Sequence, residues 1–282
     1  MNVGQVLAAA RALGVDRLDA QWLLAHHLQC TRAWLLAHED HGLAPEMART
    51  IGEQLARRAA GEPLAYLLGE REFCGLKLQV SPAVLIPRPE TELLVDWATQ
   101  LLPTAPSAEV VDLGTGSGAI ALALAARRPG LAVTATDASD SALAVARGNA
   151  QRLGFKIDFA LGPWWAPLAG RRFGLALANP PYVAEGDPHL ADLVHEPVSA
   201  LTAGGQGLDE LRRIVAGAAA HLQPGAWLLL EHGHDQGPAV REMLKAAGFF
   251  LAQTRTDLAG QDRCSGGRMP MFDQELTPEA HG

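Results

Sequence analysis

Apolar residues in the first 68 positions fall at helical intervals, at Leu7, Leu13, Leu18, Trp22, Leu23, Leu24 and Leu28. Recurrence every three or four positions gathers side chains on one helix face, so helices are predicted. Asp16 and Asp19 are candidate N-caps for the second of them. MARTIGEQLARRAAGEP, from Met47, predicts a further helix that stops at Gly61 and Pro63. This small helical domain, residues 1–68, holds no glycine-rich loop and no cluster of catalytic residue types, and is expected to serve recognition rather than chemistry.

The period changes at Arg71. In REFCGLKLQVSPAVLIPRPE, apolar and polar residues alternate around Gly75, which predicts a β-hairpin. Pro82, Pro87 and Pro89 stiffen the chain beyond the hairpin, so residues 69–89 read as a hairpin connector and 90–282 as a second domain. PTAPSAE, 103–109, reads as a short linker. From Glu109 the chain alternates. EVVDLG, AVTATD, KIDFALG, GLALAN and AWLLLEHG are strand-like, and 118–128, 140–153 and 208–222 are helix-like, with Asp140 the expected cap of the middle helix. Strand–helix alternation means right-handed crossovers and a mainly parallel sheet with helices on both faces. The fold class expected is α/β. In such sheets ligands bind beyond the carboxyl ends of the strands.

Composition narrows the classes. The chain has 282 residues, 48% hydrophobic and 19% charged, enough for a core in one large and one small domain. A net charge of -8 argues against a grip on nucleic acid driven by phosphate neutralisation. Cys30, Cys74 and Cys264 make neither a disulfide framework nor a zinc spacing, and no metal is expected. The start MNVGQVLAAARALGVD lacks a basic segment leading into an apolar one, and no run reaches about 18 apolar residues. A cytoplasmic protein without a membrane partner is expected.

Three strand ends carry candidate chemistry. DLGTGSG supplies Gly114, Thr115, Gly116, Ser117 and Gly118 between a strand and a helix, where glycines allow a tight turn and close approach of a ligand to backbone. With Ala119 next, the spacing also fits a dinucleotide fingerprint, so a nicotinamide cofactor stays open at this point. Asp137 ends the second strand, where a carboxylate can accept from both hydroxyls of a ribose, in nucleotide and adenosyl cofactors alike. Asn179-Pro180-Pro181-Tyr182 ends the fourth strand, expected beside the first. Proline after Asn179 and again after Pro180 restricts the backbone and aims the Pro180 carbonyl in one direction. That carbonyl and the Asn179 side chain are two acceptors that suit an NH2 group on a planar substrate, and Tyr182 offers a flat face that needs no hydroxyl. Acceptors on both hydrogens orient a poor nitrogen nucleophile and stabilise the positive charge it gains in attack. No metal or covalent nucleophile is needed if the electrophile is a sulfonium methyl.

At these residues the sequence resembles the class I S-adenosylmethionine-dependent methyltransferases, a Rossmann-like family. Within them it resembles the bacterial protein-(glutamine-N5) methyltransferases that modify peptide-chain release factors. The resemblance is carried by REF at 71–73, VSPAVLIPRPETELLV at 80–95, DLGTGSGAIALALA at 112–125, NPPY at 179–182, DPHL at 187–190, HEP at 195–197 and LLLEHGHDQG at 228–237. NPPY alone is shared with adenine-N6 DNA methyltransferases; LIPRPETE together with NPPY is specific. The resemblance implies S-adenosylmethionine as cofactor and class-I release factors as protein partners. It places Gly114 to Gly118 along the methionine and ribose of the cofactor, Asp137 on the ribose, Trp164 beside the adenine, and Asn179 to Tyr182 on the substrate glutamine, with Asn179 also at the cofactor. Asn179 and Pro180 are the expected catalytic residues. One departure is Pro163, where relatives often carry Asp before the aromatic.

Other features remain open. GGQG at 204–207 repeats the Gly-Gly-Gln triplet of release factors within the chain itself, and Gln206 reads as chance variation in a glycine-rich loop. Glu196 is either a brace for the NPPY loop or a surface acid. Arg88 either faces a cofactor carboxylate or caps the connector. His232 and His234 read as structural or exposed. An adenine-N6 methyltransferase would call for a basic recognition region, which is missing. A nicotinamide oxidoreductase leaves NPPY without a role, and a non-catalytic scaffold leaves every motif without one.

Overall fold

The computed structural model describes residues 1–102, 109–202, 204–205 and 207–271. Residues 103–108 of the expected linker and Gln206 lie outside the described residues. The chain divides into two units, Met1–Arg71 and Glu72–Gly282.

Unit one is helical. α1 (Val3–Ala12) opens with a capping box between Asn2 and Gln5. α2 (Arg17–Leu28) is capped by Asp16, whose carboxylate accepts from the Leu18 N–H at 2.7 Å. Asp19 lies inside the first turn of α2 instead and pairs with Arg58 at 2.7 Å. α3 (Arg32–Ala37), α4 (Pro45–Ala59) and α5 (Leu64–Leu68) complete the unit. Proline at the first position of α4 forfeits an N–H that has no helical partner anyway. The core gathers Val3, Val6, Leu23, Leu24, Leu35 and Ile51. Leu13, Leu18 and Trp22 stay 44–48% exposed. Leu13 is the C-cap of α1, and Leu18 and Trp22, four residues apart, share the outward face of α2, whose inward face carries Leu23 and Leu24.

β1 (Glu70–Phe73) and β2 (Leu76–Gln79) form the expected hairpin. Its two turn residues, Cys74 and Gly75, have φ of +50° and +77°, as a tight primed turn requires. In unit two, α6 (Glu92–Leu101) leads to a sheet in which β3 (Glu109–Leu113), α7 (Ala119–Arg127), β4 (Ala132–Asp137), α8 (Asp140–Leu153), β5 (Asp158–Leu161) and β6 (Phe173–Ala178) alternate. α9 (Asp209–His221), β7 (Leu222–Glu231), α10 (Gly237–Ala246), β8 (Phe250–Thr256) and β9 (Asp262–Arg268) complete it. The strand order is β5-β4-β3-β6-β7-β9-β8. The first five are parallel, and β9 runs antiparallel to both β7 and β8.

Alternation along each strand splits the core in two. Val111, Leu113, Ala176, Leu228 and Leu230 face one side with α9 residues Leu211 and Ile214. Val110, Leu175, Leu177 and Leu229 face the other with Trp97 of α6 and Leu122 of α7. Full burial of each large side chain contributes about 1.5–3 kcal/mol. The fold is the expected Rossmann-like α/β arrangement, with two differences in detail. Ser139 caps α8, accepting from the Ala142 N–H at 3.2 Å, because Ser139 is extended while Asp140 is already helical. α10, β8 and β9 had no counterpart in the sequence pattern.

The chain enters the sheet at β3, moves outward through β4 and β5, then returns to the other side of β3 as β6. That reversal opens a crevice at the carboxyl ends of β3 and β6. Leu113 and Ala178 are the last register pair, so Gly114 and Asn179 leave neighbouring strand ends.

Candidate active site

A cavity of about 640 Å³ lies at this crevice. Gly114 to Ser117, Asp137, Trp164, Asn179 and Pro181 line it, with Arg88 and Thr91 from the connector side and Glu210 from α9. Gly118, Pro180 and Tyr182 do not line it themselves; each adjoins a residue that does.

The loop after β3 is held by backbone. The N–H groups of Gly114 and Thr115 donate to the Thr136 carbonyl at 2.8 and 2.9 Å. Asn149 of α8 donates to the Ser117 carbonyl at 3.0 Å and exchanges hydrogen bonds with Gln79 of the hairpin, tying β2 to the loop. Gly114 has φ +75°, and a Cβ there would stand 2.8 Å from the Trp164 ring. Gly116 has φ +55°, yet nothing lies within 4 Å of where its Cβ would be, so the space over it is open. Asp112, fully buried at the end of β3, accepts from the Thr115 hydroxyl at 2.6 Å and the Ala121 N–H at 3.2 Å. Its Oδ1 has no partner among the described residues. Burial pushes this carboxyl up to about 7 against those two hydrogen bonds.

Asp137 closes the next strand. Its carboxylate accepts from the Gly116 and Ser139 N–H groups, each at 2.9 Å. Burial raises its pKa, and these backbone donors oppose the rise. Trp164, in the left-handed region at φ +48°, donates its indole N–H to Glu210 at 2.7 Å, while Arg213 holds the other Glu210 oxygen at 2.7 Å.

On the opposite wall, Asn179 donates from Nδ2 to the Thr91 hydroxyl at 3.1 Å. Among the described residues no donor reaches its Oδ1. Pro180 is buried behind it. The Tyr182 hydroxyl donates to Glu231 at 3.2 Å. The hydroxyl thus has a partner that the sequence reading did not supply, the carboxylate that ends β7. Glu231 is fully buried, and burial pushes it up to about 7, opposed by the hydroxyls of Thr91 and Tyr182. Glu196 is 5% exposed and accepts from the Ile86 N–H at 3.0 Å and from the Arg88 guanidinium. It is therefore a brace between connector and post-NPPY loop, and Arg88 is its partner. His232 is committed to the Gly233 carbonyl and the Ser265 hydroxyl, and His234 is exposed.

Sequence reasoning missed Thr91, Asp112, Glu210 and Glu231. Asp112 and Glu231 shared one readable signal, an acid at the carboxyl end of an apolar strand. Thr91 and Glu210 had none, since their partners lie 88 and 46 residues away.

Comparison with known proteins finds relatives for both parts of the chain. Residues 3–69 match the PrmC N-terminal domain and residues 91–208 the methyltransferase small domain. Among solved structures, the N-terminal domain of human METTL16 in complex with SAH aligns with a TM-score of 0.53 at 18% identity, covering 78% of this chain and 84% of that one. It shows a shared fold. A release factor glutamine methyltransferase of Xylella fastidiosa is 51% identical over 94% of this chain and 98% of its own length. One of Burkholderia pseudomallei is 50% identical, over 92% of this chain and 94% of its own length. Identity at that level along nearly the full length places the chain in the family of release factor glutamine methyltransferases, and it belongs there.

Proposed function

We propose that this enzyme transfers a methyl group from S-adenosylmethionine to the side-chain amide nitrogen, N5, of the glutamine in the Gly-Gly-Gln motif of class-I peptide chain release factors, tuning translation termination in the cytoplasm. The observation that carries the reading is Asn179. Its amide NH2 is occupied by Thr91, which leaves the carbonyl end for a donor in the cavity.

The site fits the cofactor. Open space over Gly116 and a carboxylate already held by two N–H groups are what an adenosyl ligand would meet. In the proposed assignment, Gly114, Thr115, Gly116, Ser117 and Gly118 shape the loop that receives it. Asp137 accepts from the ribose hydroxyls, Trp164 flanks the adenine, and Asn179 borders both ligands. The bound cofactor supplies an electrophilic sulfonium methyl. Asn179 Oδ1 and the Pro180 carbonyl accept the two amide hydrogens and so aim the nitrogen lone pair. As the nitrogen becomes positive, those acceptors stabilise it more than they did the neutral amide, which lowers the barrier rather than only tightening binding. Pro181 fixes the direction of the Pro180 carbonyl, and Tyr182 anchors the segment from behind.

The same proposal divides the chain into a recognition domain at 1–68, a connector at 69–89 and a catalytic domain at 90–282. No nucleic-acid partner is assigned, and among the described residues no helix is long and apolar enough to cross a membrane. The deciding experiment is mass spectrometry of a class-I release factor incubated with enzyme and cofactor. One methyl on the glutamine of its Gly-Gly-Gln peptide is the expected product; an unmodified peptide, or methylation elsewhere, refutes it.

A further inference from the structure

We infer that Glu210 is a positioning residue for the cofactor: through the indole N–H of Trp164 it fixes the pose in which that ring walls the cavity. The inference rests on the reading of Trp164 as a residue against the cofactor.

Two neighbouring tryptophans end on the same helix and are held in different ways. Trp165 is 6% exposed, and its indole N–H donates to the Ile214 carbonyl of α9 at 2.8 Å. Its ring stacks on His221, with ring centres 5.0 Å apart. Packing and backbone keep such a ring in place. Trp164 lines the cavity and is only half-buried. Its indole N–H goes to a side chain, the Glu210 carboxylate, one helical turn before Ile214. An indole has one donor and no acceptor, and a carboxylate takes that donor in a charge-assisted bond.

The remaining restraints on Trp164 act elsewhere on the residue. Its φ of +48° is a left-handed backbone that bulky residues rarely adopt. Such a conformation persists where the surroundings over-determine it. The Thr136 hydroxyl donates to its carbonyl at 3.0 Å. Its ring lies so close over Gly114 that a Cβ there would stand 2.8 Å away. These contacts hold the backbone and the underside of the ring, and none of them holds its polar edge. The bond to Glu210 does, and among the described residues it is the only hydrogen bond at that indole nitrogen. A ring fixed beforehand has less freedom to lose when the ligand arrives, so more of the contact energy appears as affinity.

The helix supplies its own control. Asp209 and Glu210 are both acids in the first turn of α9, and each pairs at 2.7 Å with an arginine three residues on, Arg212 and Arg213. Both suit the positive end of a helix. Only Glu210 lines the cavity, with Oε1 on Arg213 and Oε2 on Trp164. A service to the helix is common to the two acids, whereas a service to the cofactor belongs to Glu210 alone.

The experiment is calorimetric titration of the full chain with S-adenosylhomocysteine, which binds without turnover. Glu210→Ala is expected to weaken binding roughly tenfold, the scale of one hydrogen bond to a charged group. Glu210→Gln, which keeps an acceptor oxygen for the indole, is expected to recover most of that loss. Asp209→Ala is expected to bind as the wild type does. Trp164→Phe keeps an aromatic ring without the N–H. In that background Glu210→Ala is expected to cost nothing further, because the pair acts as one unit. Wild-type affinity in Glu210→Ala overturns the inference, and so does an equal loss from Glu210→Ala in the wild-type and Trp164→Phe backgrounds. If Glu210→Ala does not fold, undiminished affinity in Trp164→Phe overturns it instead. Trp164→Ala separates the levels: wild-type affinity there removes Trp164 from the cofactor site and the reading with it, whereas an impaired Trp164→Ala beside an unaffected Glu210→Ala removes only the role given to Glu210.

Discussion

The two walls of the cavity are built on different principles. The wall after β3 is backbone: left-handed glycines, N–H groups on the Thr136 carbonyl, and N–H groups on Asp137. The wall after β6 is side chain: Asn179 on the Thr91 hydroxyl, and behind it Tyr182 on a buried Glu231. A backbone wall suits a ligand that is the same at every turnover. A side-chain wall can discriminate the polarity of one functional group, and it can be disturbed at a distance.

The largest expected effect breaks the backbone wall. Gly116→Val puts a branched side chain into the open space above the loop at φ +55°. Cofactor binding should vanish by calorimetry in a protein that still shows a cooperative melt; retained affinity would mean that the ligand does not pass over Gly116. Next, Asn179→Ala strikes the side-chain wall. It should cost about 10²–10³ in kcat with little change in cofactor affinity, while Asn179→Asp, which keeps an acceptor oxygen, should retain more activity than alanine in single-turnover kinetics. Asp137→Ala sharpens the comparison from the other side. Losing hydrogen bonds to a charged group costs about 1.5–3 kcal/mol, so the cofactor dissociation constant should rise roughly 10- to 150-fold, with kcat at saturation much less affected. An unchanged constant would remove Asp137 from the site. The smallest effect belongs to Tyr182→Phe. It removes the hydrogen bond from the hydroxyl to Glu231, so kcat should fall only a few-fold, about the loss of one moderate hydrogen bond. A loss as large as that of Asn179→Ala would mean that the hydroxyl itself acts in the transfer.

This contrast also explains what could be read from the chain alone. The loop, Asp137 and NPPY are contiguous words at predictable strand ends, so DLGTGSG and NPPY announced both walls. The parallel half of the sheet was legible for the same reason, through short apolar runs spaced by helices. Thr91 and Glu231 were not, because their meaning exists only when α6, β6 and β7 are side by side. Leu18 and Trp22 mislead because their four-residue spacing is helical, yet it falls on the outward face of α2, while Leu23 and Leu24 carry the buried one. β9 was hidden by its own composition: Cys-Ser-Gly-Gly reads as loop, yet residues 264–267 are buried within a strand. Glycine is depleted in strands unless another group approaches closely, and here one does.

That approach constrains how the sequence can drift. A Cβ on Gly266 would stand 2.5 Å from Leu229 Cδ2 and 2.9 Å from the Trp97 ring. Leu229 is its register partner on β7, and Glu231 lies two residues further along the same strand, paired with Cys264. A single added methyl at Gly266 must therefore push the buried Leu229 and Trp97 side chains aside, in the layer that lies two residues from the buried acid. In a map of tolerated substitutions Gly266 would look as restricted as a residue that touches the substrate, although it lies on the far strand. Spacing between layers, rather than chemistry, is what natural selection would be guarding there.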